Sequence, residues 1–504
     1  MSLPLTHAGM TERCLRLAKI IANELVRRQK PDGNFVLPDF YGKAFACALW
    51  SGLDRDQYHR QIARAQIALQ HEIPDKTYHR EFIEYALLSM PGMSASARRA
   101  ILKNARNQNP DVANWQILQL RNRQAKNSGT FSRLSASLHR CFIRMRYWRS
   151  NLFLDRPGCF SAQYHAFCAA LLSQSANRTD QALARKATHL IATLCQNHGY
   201  ANLAGRGAGQ SFGAVCAFYV LLKYGFHDAA DAVLYRIEDA MLNAATLPLN
   251  LLAPCPVPEN PGPTNRLTPG WYGYNRHDDY LAFGGFWLLQ AAGLSPETPQ
   301  STPTDHPHQT RMLFTTTSAH YDAQMLLSGA RIFDVTPAPV IVSGKGSGAM
   351  ILFPPTGGEQ DQPSLYVPAT IPLPATRDGT AARFITATCQ SDRRVVVTFR
   401  LAGTTGQRII DFDDTEIRIA DSCDERLSPK PDLLRVLITA DVKLNRISDT
   451  ELSITHTGIL LMCDQPIVVD DNDAITVAGP AQRITAPKTN KATLIIRWEN
   501  RQND

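Results

Sequence analysis

The feature that most constrains the fold is a change of hydrophobic period partway along the chain. From Thr11 to about Leu294 apolar residues recur at helical spacing in runs with short connections, and beyond that point short β-rich runs replace them. Leu15, Leu17, Ile20, Ile21 and Leu25 form the first stripe, which the turn Pro31-Asp32-Gly33-Asn34 ends. Further helices are predicted over 41–52, 55–71, 79–90, 95–107, 112–126, 130–149, 161–176, 180–197, 209–224, 227–245 and 278–292. About a dozen helices without a strong sequence repeat point to antiparallel pairs, arranged as an incomplete (α/α) toroid or a helical solenoid. A toroid gathers loops at one end, so motifs distant in sequence meet on a rim.

Pro248, Pro254, Pro256, Pro258, Pro261, Pro263 and Pro269 punctuate a long connection, and Pro296, Pro299, Pro303 and Pro307 a second. The domain boundary is placed near residue 305, giving 1–305 as the toroid with its Pro-rich connector and 306–504 as a second domain. In that second part Met312-Leu313-Phe314-Thr315-Thr316-Thr317, Pro339-Val340-Ile341-Val342, Arg394-Val395-Val396-Val397-Thr398-Phe399, Leu434-Arg435-Val436-Leu437-Ile438 and Ala492-Thr493-Leu494-Ile495-Ile496 lie between Gly, Pro and Asp turns. Many short strands without intervening helices predict an antiparallel β-sandwich.

With 504 residues, 44% hydrophobic and 19% charged, the chain is long enough for two or three folded domains. The formal charge of +8 is concentrated between Arg98 and Arg149, where Asp111 is the acidic counterweight. Such a field attracts nucleic acid, an acidic membrane surface or an acidic polysaccharide alike, and a solvated basic face without a partner is the plainer alternative. No winged-helix, zinc-finger or RNA-binding signature is visible, so nucleic acid is not expected. The eleven cysteines are odd in number, scattered and without a Cys-x-x-Cys pair, which reads as reduced, buried thiols. No apolar run is long enough to span a bilayer, and Met1 to Thr11 has no signal-peptide core, so a cytoplasmic protein is expected, with export by another route as the alternative.

Four polar, aromatic-rich segments carry the candidate chemistry. Asn114, beside Trp115 within an amphipathic helix, is an amide donor for a carboxylate or else a surface Asn next to a core Trp. Tyr164 and His165 follow the turn Asp155-Arg156-Pro157-Gly158 and open an apolar helix. They bring a phenol and an imidazole suited to acid or base work, or else an amphipathic Tyr and a satisfied His at a packing seam. Arg206, flanked by Gly205 and Gly207 ahead of Gln210, holds a carboxylate with two parallel bonds or lies in an ordinary helix-entry loop. The stretch Trp271-Tyr272-Gly273-Tyr274-Asn275-Arg276-His277-Asp278-Asp279-Tyr280 offers aromatic faces for sugar rings and polar groups for hydroxyls and charges. His277, Asp278 and Asp279 specify no closed metal shell, so no metal is expected, and the two Asp residues also suit a helix cap.

These residues, in this order, resemble the heparinase-like and alginate-lyase-like polysaccharide lyases, which join an incomplete (α/α) toroid to an antiparallel β-sandwich. The family's Asn-Trp helix is similar to Asn114-Trp115, and its turn leading to a Tyr-His helix is similar to Asp155 through His165. The resemblance implies β-elimination on a uronate-containing polysaccharide or oligosaccharide without a cofactor. It assigns Asn114 and Arg206 to the uronate carboxylate, Tyr164 as base or acid, and His165 or His277 as its companion. Trp115, Gln210, Trp271, Tyr272, Tyr274, Asn275 and Arg276 would bind substrate. A glycoside hydrolase is the alternative, with Asp32, Asp39, Glu81, Glu84, Asp155, Asp278 and Asp279 as candidate carboxylates. A third reading is a non-catalytic polysaccharide-binding or assembly protein.

Overall fold

The computed structural model describes residues 7–71, 76–103, 105, 110–126, 129–195, 198–255, 276–300, 310–327, 338–355 and 372–499. Its first part is helical: α1 (His7–Arg28), α2 (Gly42–Asp54), α3 (His59–His71), α4 (Lys76–Leu88), α5 (Ala95–Ile101), α6 (Ala113–Lys126) and α7 (Thr130–Tyr147). A small antiparallel sheet follows, β1 (Trp148–Arg149), β2 (Leu152–Arg156) and β3 (Cys159–Phe160). Then come α8 (Ala162–Ser173), α9 (Arg178–Cys195), α10 (Ser211–Lys223), α11 (His227–Ala244) and α12 (His277–Ala292).

The even-numbered helices form an inner ring. Each packs on the next, and α12 returns to α2. Four of them, α2, α8, α10 and α12, are rich in Ala, Gly, Cys and aromatic residues on all sides, as in Ala44-Phe45-Ala46-Cys47-Ala48-Leu49-Trp50, because nearly every face is covered by a neighbour. Small residues set how close they come: a side chain at Gly285 of α12 would meet Leu49 and Ile21 within 2.8 Å. The odd-numbered helices lie outside. The outer layer is thin at α5, which is only seven residues long. Of the toroid and the solenoid that helical periodicity leaves open, the contact of α12 with α2 makes this the toroid.

Ring closure rests on two adjacent carboxyl groups at the start of α12. Asp279 accepts backbone N–H bonds from Phe40 (3.0 Å), Tyr41 (2.8 Å) and Gly42 (2.6 Å), so it caps α2 and not its own helix. Asp278 accepts from Arg28 Nε at 2.6 Å and from the Leu37 N–H at 3.3 Å, tying in the end of α1. Burial and the nearby Asp39 push the Asp279 carboxyl upward, against the backbone donors that hold it down. Neighbouring His277 is buried with neither ring nitrogen hydrogen-bonded among the described residues. Burial and then Arg28 lower it to about 3.

The second part is built of antiparallel strands: β4 (Leu313–Thr317), β5 (Tyr321–Leu326), β6 (Val340–Ser343), β7 (Met350–Phe353), β8 (Arg383–Ser391), β9 (Arg394–Leu401), β10 (Thr404–Phe412), β11 (Glu416–Ser422), β12 (Leu433–Thr439), β13 (Leu444–Ser448), β14 (Glu451–Ile454), β15 (Ile459–Cys463), β16 (Val468–Thr476), β17 (Gly479–Ala486) and β18 (Lys491–Trp498). They form an eight-stranded sheet in the order β13-β14-β15-β18-β11-β10-β9-β8, a three-stranded sheet β12-β17-β16 and a four-stranded sheet β4-β5-β6-β7. Alternating residues such as Val395, Val397 and Phe399 face Val436, Ile438 and Ile484 in one core. The four-stranded sheet also packs on the toroid. Leu313 and Leu326 join Leu190 and Leu194, while Arg236 donates to Gly346 O at 2.7 Å and His198 O at 2.9 Å. The boundary expected near residue 305 lies outside the described residues.

Two departures from the sequence reading stand out. The helix predicted over 95–107 stops at Ile101, and the one predicted to 149 stops at Tyr147, where the chain turns into the β1–β3 sheet. The turn Pro157-Gly158 is the bend of that sheet, with Gly158 at φ +79°.

Removing the Asp279 carboxyl orphans two buried N–H groups and a half-buried one, so Asp279→Ala is expected to lose about 3 kcal/mol in urea unfolding, with Asp279→Asn between it and the parent. Unfolded imidazoles bind a proton near pH 6.5 while folded His277 and His198, each lowered to about 3, do not. Stability from these groups is therefore complete above pH 6.5 and lost as pH falls toward 3, at about 1.4 kcal/mol per pH unit for each. Replacing His277 by Leu should flatten the measured pH dependence of unfolding by up to one proton.

Candidate active site

A cavity of about 390 Å³ opens where the inner helices begin. Its wall takes Phe40 and Tyr41 ahead of α2, His79 in α4, Asn114 and Trp115 in α6, and Tyr164 in α8. Phe212 in α10 and Arg276 and Tyr280 at α12 complete the ring, so all six inner helices turn their N-terminal ends toward one space. Six positive helix-dipole ends converge there, which favours an anionic guest. Arg156, Arg206 and Arg276 line the same space. Asp279 is a carboxyl group in that lining, and its oxygens are already committed to the α2 backbone.

Arg206 is delivered by a glycine loop. Gly205, Gly207 and Gly209 take φ of +84°, +82° and +72°, and a side chain at Gly207 would strike the Gln163 amide within 2.7 Å. Ser161, the N-cap of α8, accepts from the Tyr164 N–H at 3.4 Å and donates to Arg206 O at 2.6 Å, locking loop to helix. Arg206 Nη2 then lies 2.9 Å from Asp155 Oδ2 on β2, and its guanidinium sits 4.6 Å from the centre of the Tyr164 ring. The small sheet thus supplies both the anchor for Arg206 and the adjacent Arg156.

Asn114 is buried, and its Oδ1 has no hydrogen-bond partner among the described residues. A buried amide oxygen left open at a cavity wall is an acceptor awaiting a donor such as a sugar hydroxyl, while a carboxylate would be met by the amide N–H group of the same side chain. Trp115 lies 5.6 Å from His79, which stacks on Phe40 at 4.3 Å, and Arg276 sits over the Phe40 ring at 5.1 Å. Burial lowers His79 to about 4, so it is a neutral imidazole at pH 7.

The structure brings together Asn114, Trp115, Tyr164, Arg206 and Arg276 from the candidates read in the sequence. Three others take different places. His165 is fully buried on the side of α8 away from the cavity wall: its Nδ1 accepts from the Phe153 N–H at 3.0 Å and its Nε2 faces Ala187 O at 3.2 Å. Both ring nitrogens serve the packing seam, because adjacent helical positions diverge by about 100° and Tyr164 already takes the cavity side. His277 is likewise buried outside the lining, behind Asp278 and Asp279. Gln210 is buried beneath the wall, where its Oε1 accepts from the Tyr280 hydroxyl at 2.9 Å. Trp271, Tyr272, Tyr274 and Asn275 lie outside the described residues.

Sequence reasoning missed His79, Arg156, Phe40 and Tyr41. Their shared signal is position: each lies in or just ahead of the first turns of an inner helix, or in the hairpin leading into α8. Asp278 and Asp279 hold backbone and arginine and not a metal, and among the described residues no group of three His, Cys, Asp or Glu side chains is arranged to hold one.

No protein-family model matches the chain, and no curated protein matches it in sequence. Its likeness is to solved structures. The chondroitin AC lyase of Streptomyces coelicolor A3, in complex with chondroitin sulphate, aligns over 99% of this chain and 80% of its own, with a TM-score of 0.54 at 9% identity. A Tyr-to-Ala variant of that lyase aligns over 99% and 80% at 0.49 and 10% identity, and a chondroitinase AC lyase studied with oligosaccharides over 98% and 83% at 0.47 and 8%. The chain has the fold of the first of these, a polysaccharide lyase in which an (α/α) toroid is followed by antiparallel sheets.

Proposed function

We propose that this protein is a polysaccharide lyase that cleaves a uronate-containing acidic polysaccharide or oligosaccharide by β-elimination. The observation that carries the reading is the meeting of a phenol, an open buried amide and a carboxylate-anchored guanidinium, Tyr164, Asn114 and Arg206, in one cavity ringed by helix N-termini. The Streptomyces lyase of like fold was solved with chondroitin sulphate, which supports an acidic polymer as the substrate class.

The chemistry asks for what this wall offers. The C5 proton of a uronate leaves only when the adjacent carboxylate is neutralised, a task for the amide N–H group of Asn114 and the guanidinium of Arg206 with the helix ends behind them. The C5–H bond breaks to a base, C4=C5 forms, the C4–O bond breaks, and the departing oxygen receives a proton. Tyr164 serves as base or acid, with the Arg206 guanidinium over its ring. His79, neutral near pH 7, takes the companion role in place of His165 and His277. Trp115 and Phe40 offer faces to the sugar rings.

Hydrolysis needs two carboxyl groups across the scissile bond. Among the described residues Asp279 in the lining is bound to three backbone N–H groups, and Asp155 is held by Arg206. That arrangement disfavours the hydrolase alternative.

Incubation with chondroitin, hyaluronan, heparan and alginate is expected to raise the ultraviolet absorbance of an unsaturated uronate with at least one polymer. New reducing ends without that absorbance would assign hydrolysis, and binding with neither would assign a non-catalytic binder. Tyr164→Phe should lower kcat by at least about 10²-fold with substrate affinity nearly unchanged, and His79→Gln should act in the same direction. Full activity in Tyr164→Phe would sink the site assignment.

A further inference from the structure

Helix α7 is apolar on two opposite faces. One face, Ala136, Ile143 and Tyr147, is buried against the toroid. The other carries Phe131, Leu134, Leu138, Phe142 and Met145, exposed by 90%, 60%, 65%, 41% and 61%. Their spacing of 3, 4, 4 and 3 residues keeps them in one continuous stripe pointing away from the protein body. Among the described residues five of the twelve large exposed apolar side chains lie on this single face, while the other seven are spread over six elements, two of them on α11. A stripe of this kind is normally covered.

The charge along the helix says by what. The sequence Thr130–Tyr147 contains no Asp or Glu; Arg146 borders the stripe, Arg133, Arg140 and Arg144 lie on the flank between it and the buried face, and Arg149 comes just beyond. Arg140 turns inward to Asp180 at 2.7 Å and Arg146 reaches Asp111, but Arg133 and Arg144 are exposed. A second copy laid helix on helix would bring two basic helices together with no acid on either. A hydrated polysaccharide offers no apolar body to cover Phe131, Leu138 and Met145. An anionic bilayer meets both demands, with acyl chains for the stripe and headgroups for the arginines, whose stems lie along the interface.

We infer that α7 is an interfacial helix by which this protein docks on an anionic lipid surface, with Phe131, Leu134, Leu138, Phe142 and Met145 inserted and the flanking arginines on the headgroups. The inference stands apart from the reading of the cavity. The two sites are nonetheless neighbours: Arg146 and Tyr147 at the end of α7 both bond Asp111, next to the cavity-lining Val112. Docking along α7 would hold the cavity mouth close to the membrane.

The test is co-sedimentation of the full chain with vesicles of phosphatidylcholine alone or with about one quarter phosphatidylglycerol, at about 0.1 M salt. Binding is expected to the anionic vesicles and not to the neutral ones. Leu134→Glu/Leu138→Glu should lower the bound fraction roughly tenfold with an unchanged unfolding midpoint, since both positions are exposed. Arg133→Gln/Arg144→Gln, which leaves the stripe intact, should weaken binding several-fold and reduce its salt dependence. Absence of binding to anionic vesicles, or binding that the leucine variant leaves unchanged, would overturn the inference. So would a dimer in solution that the leucine variant dissociates with no vesicle binding, which would give the stripe to a second copy.

Discussion

The toroid depends on a carboxyl group placed where a helix begins. Asp279 sits at the start of the last inner helix and accepts three N–H groups at the start of the first, so the two ends of a chain segment of more than two hundred residues are joined by hydrogen bonds within 3.0 Å. Such bonds are individually modest, but a buried donor left without its acceptor is costly, which makes the closure close to obligatory. With Asp278 holding Arg28, the same dipeptide fixes the loop that carries Phe40 and Tyr41. The cavity wall inherits its shape from that joint.

Ring closure also decides the electrostatics of the site. Helices packed as antiparallel pairs around a ring must send all inner N-termini to one end, and their partial charges add there with those of Arg156, Arg206 and Arg276. Two carboxyl groups offset part of this field, Asp279 by capping the start of α2 and Asp155 by pairing with Arg206 while orienting it. Holding the guanidinium over the Tyr164 ring and not out in solvent is a positioning task, and the β1–β3 sheet, Ser161 and three left-handed glycines perform it together.

Much of the fold was legible, and for local reasons. Helical periodicity places α2, α6, α9, α10, α11 and α12 within two residues of their observed ends, since which faces are buried follows from spacing alone. Asn114, Tyr164 and Arg206 were legible because unusual polar residues stood where apolar helices begin. His165 and His277 were misread because a histidine beside a functional residue looks the same in sequence whether it faces a cavity or a seam. The imidazole of His165 bonds Phe153 and Ala187, partners that sequence distance conceals. His79 was missed for the converse reason: nothing in its local sequence marks it, and only the packing of α4 between α2 and α6 brings it beside Phe40 and Trp115.

The sequence by itself determined the order of layers, helices then strands, and the chemical kinds of side chain available, because period and composition are properties of short segments. Tertiary structure decided which of those side chains share a space. That choice rests on contacts between residues tens to hundreds of positions apart, such as Asp279 with Tyr41 and Arg206 with Asp155, and no local pattern encodes them. The same holds for α7, whose second apolar stripe reads in sequence as ordinary core and is revealed as a free surface only when the toroid covers the opposite face.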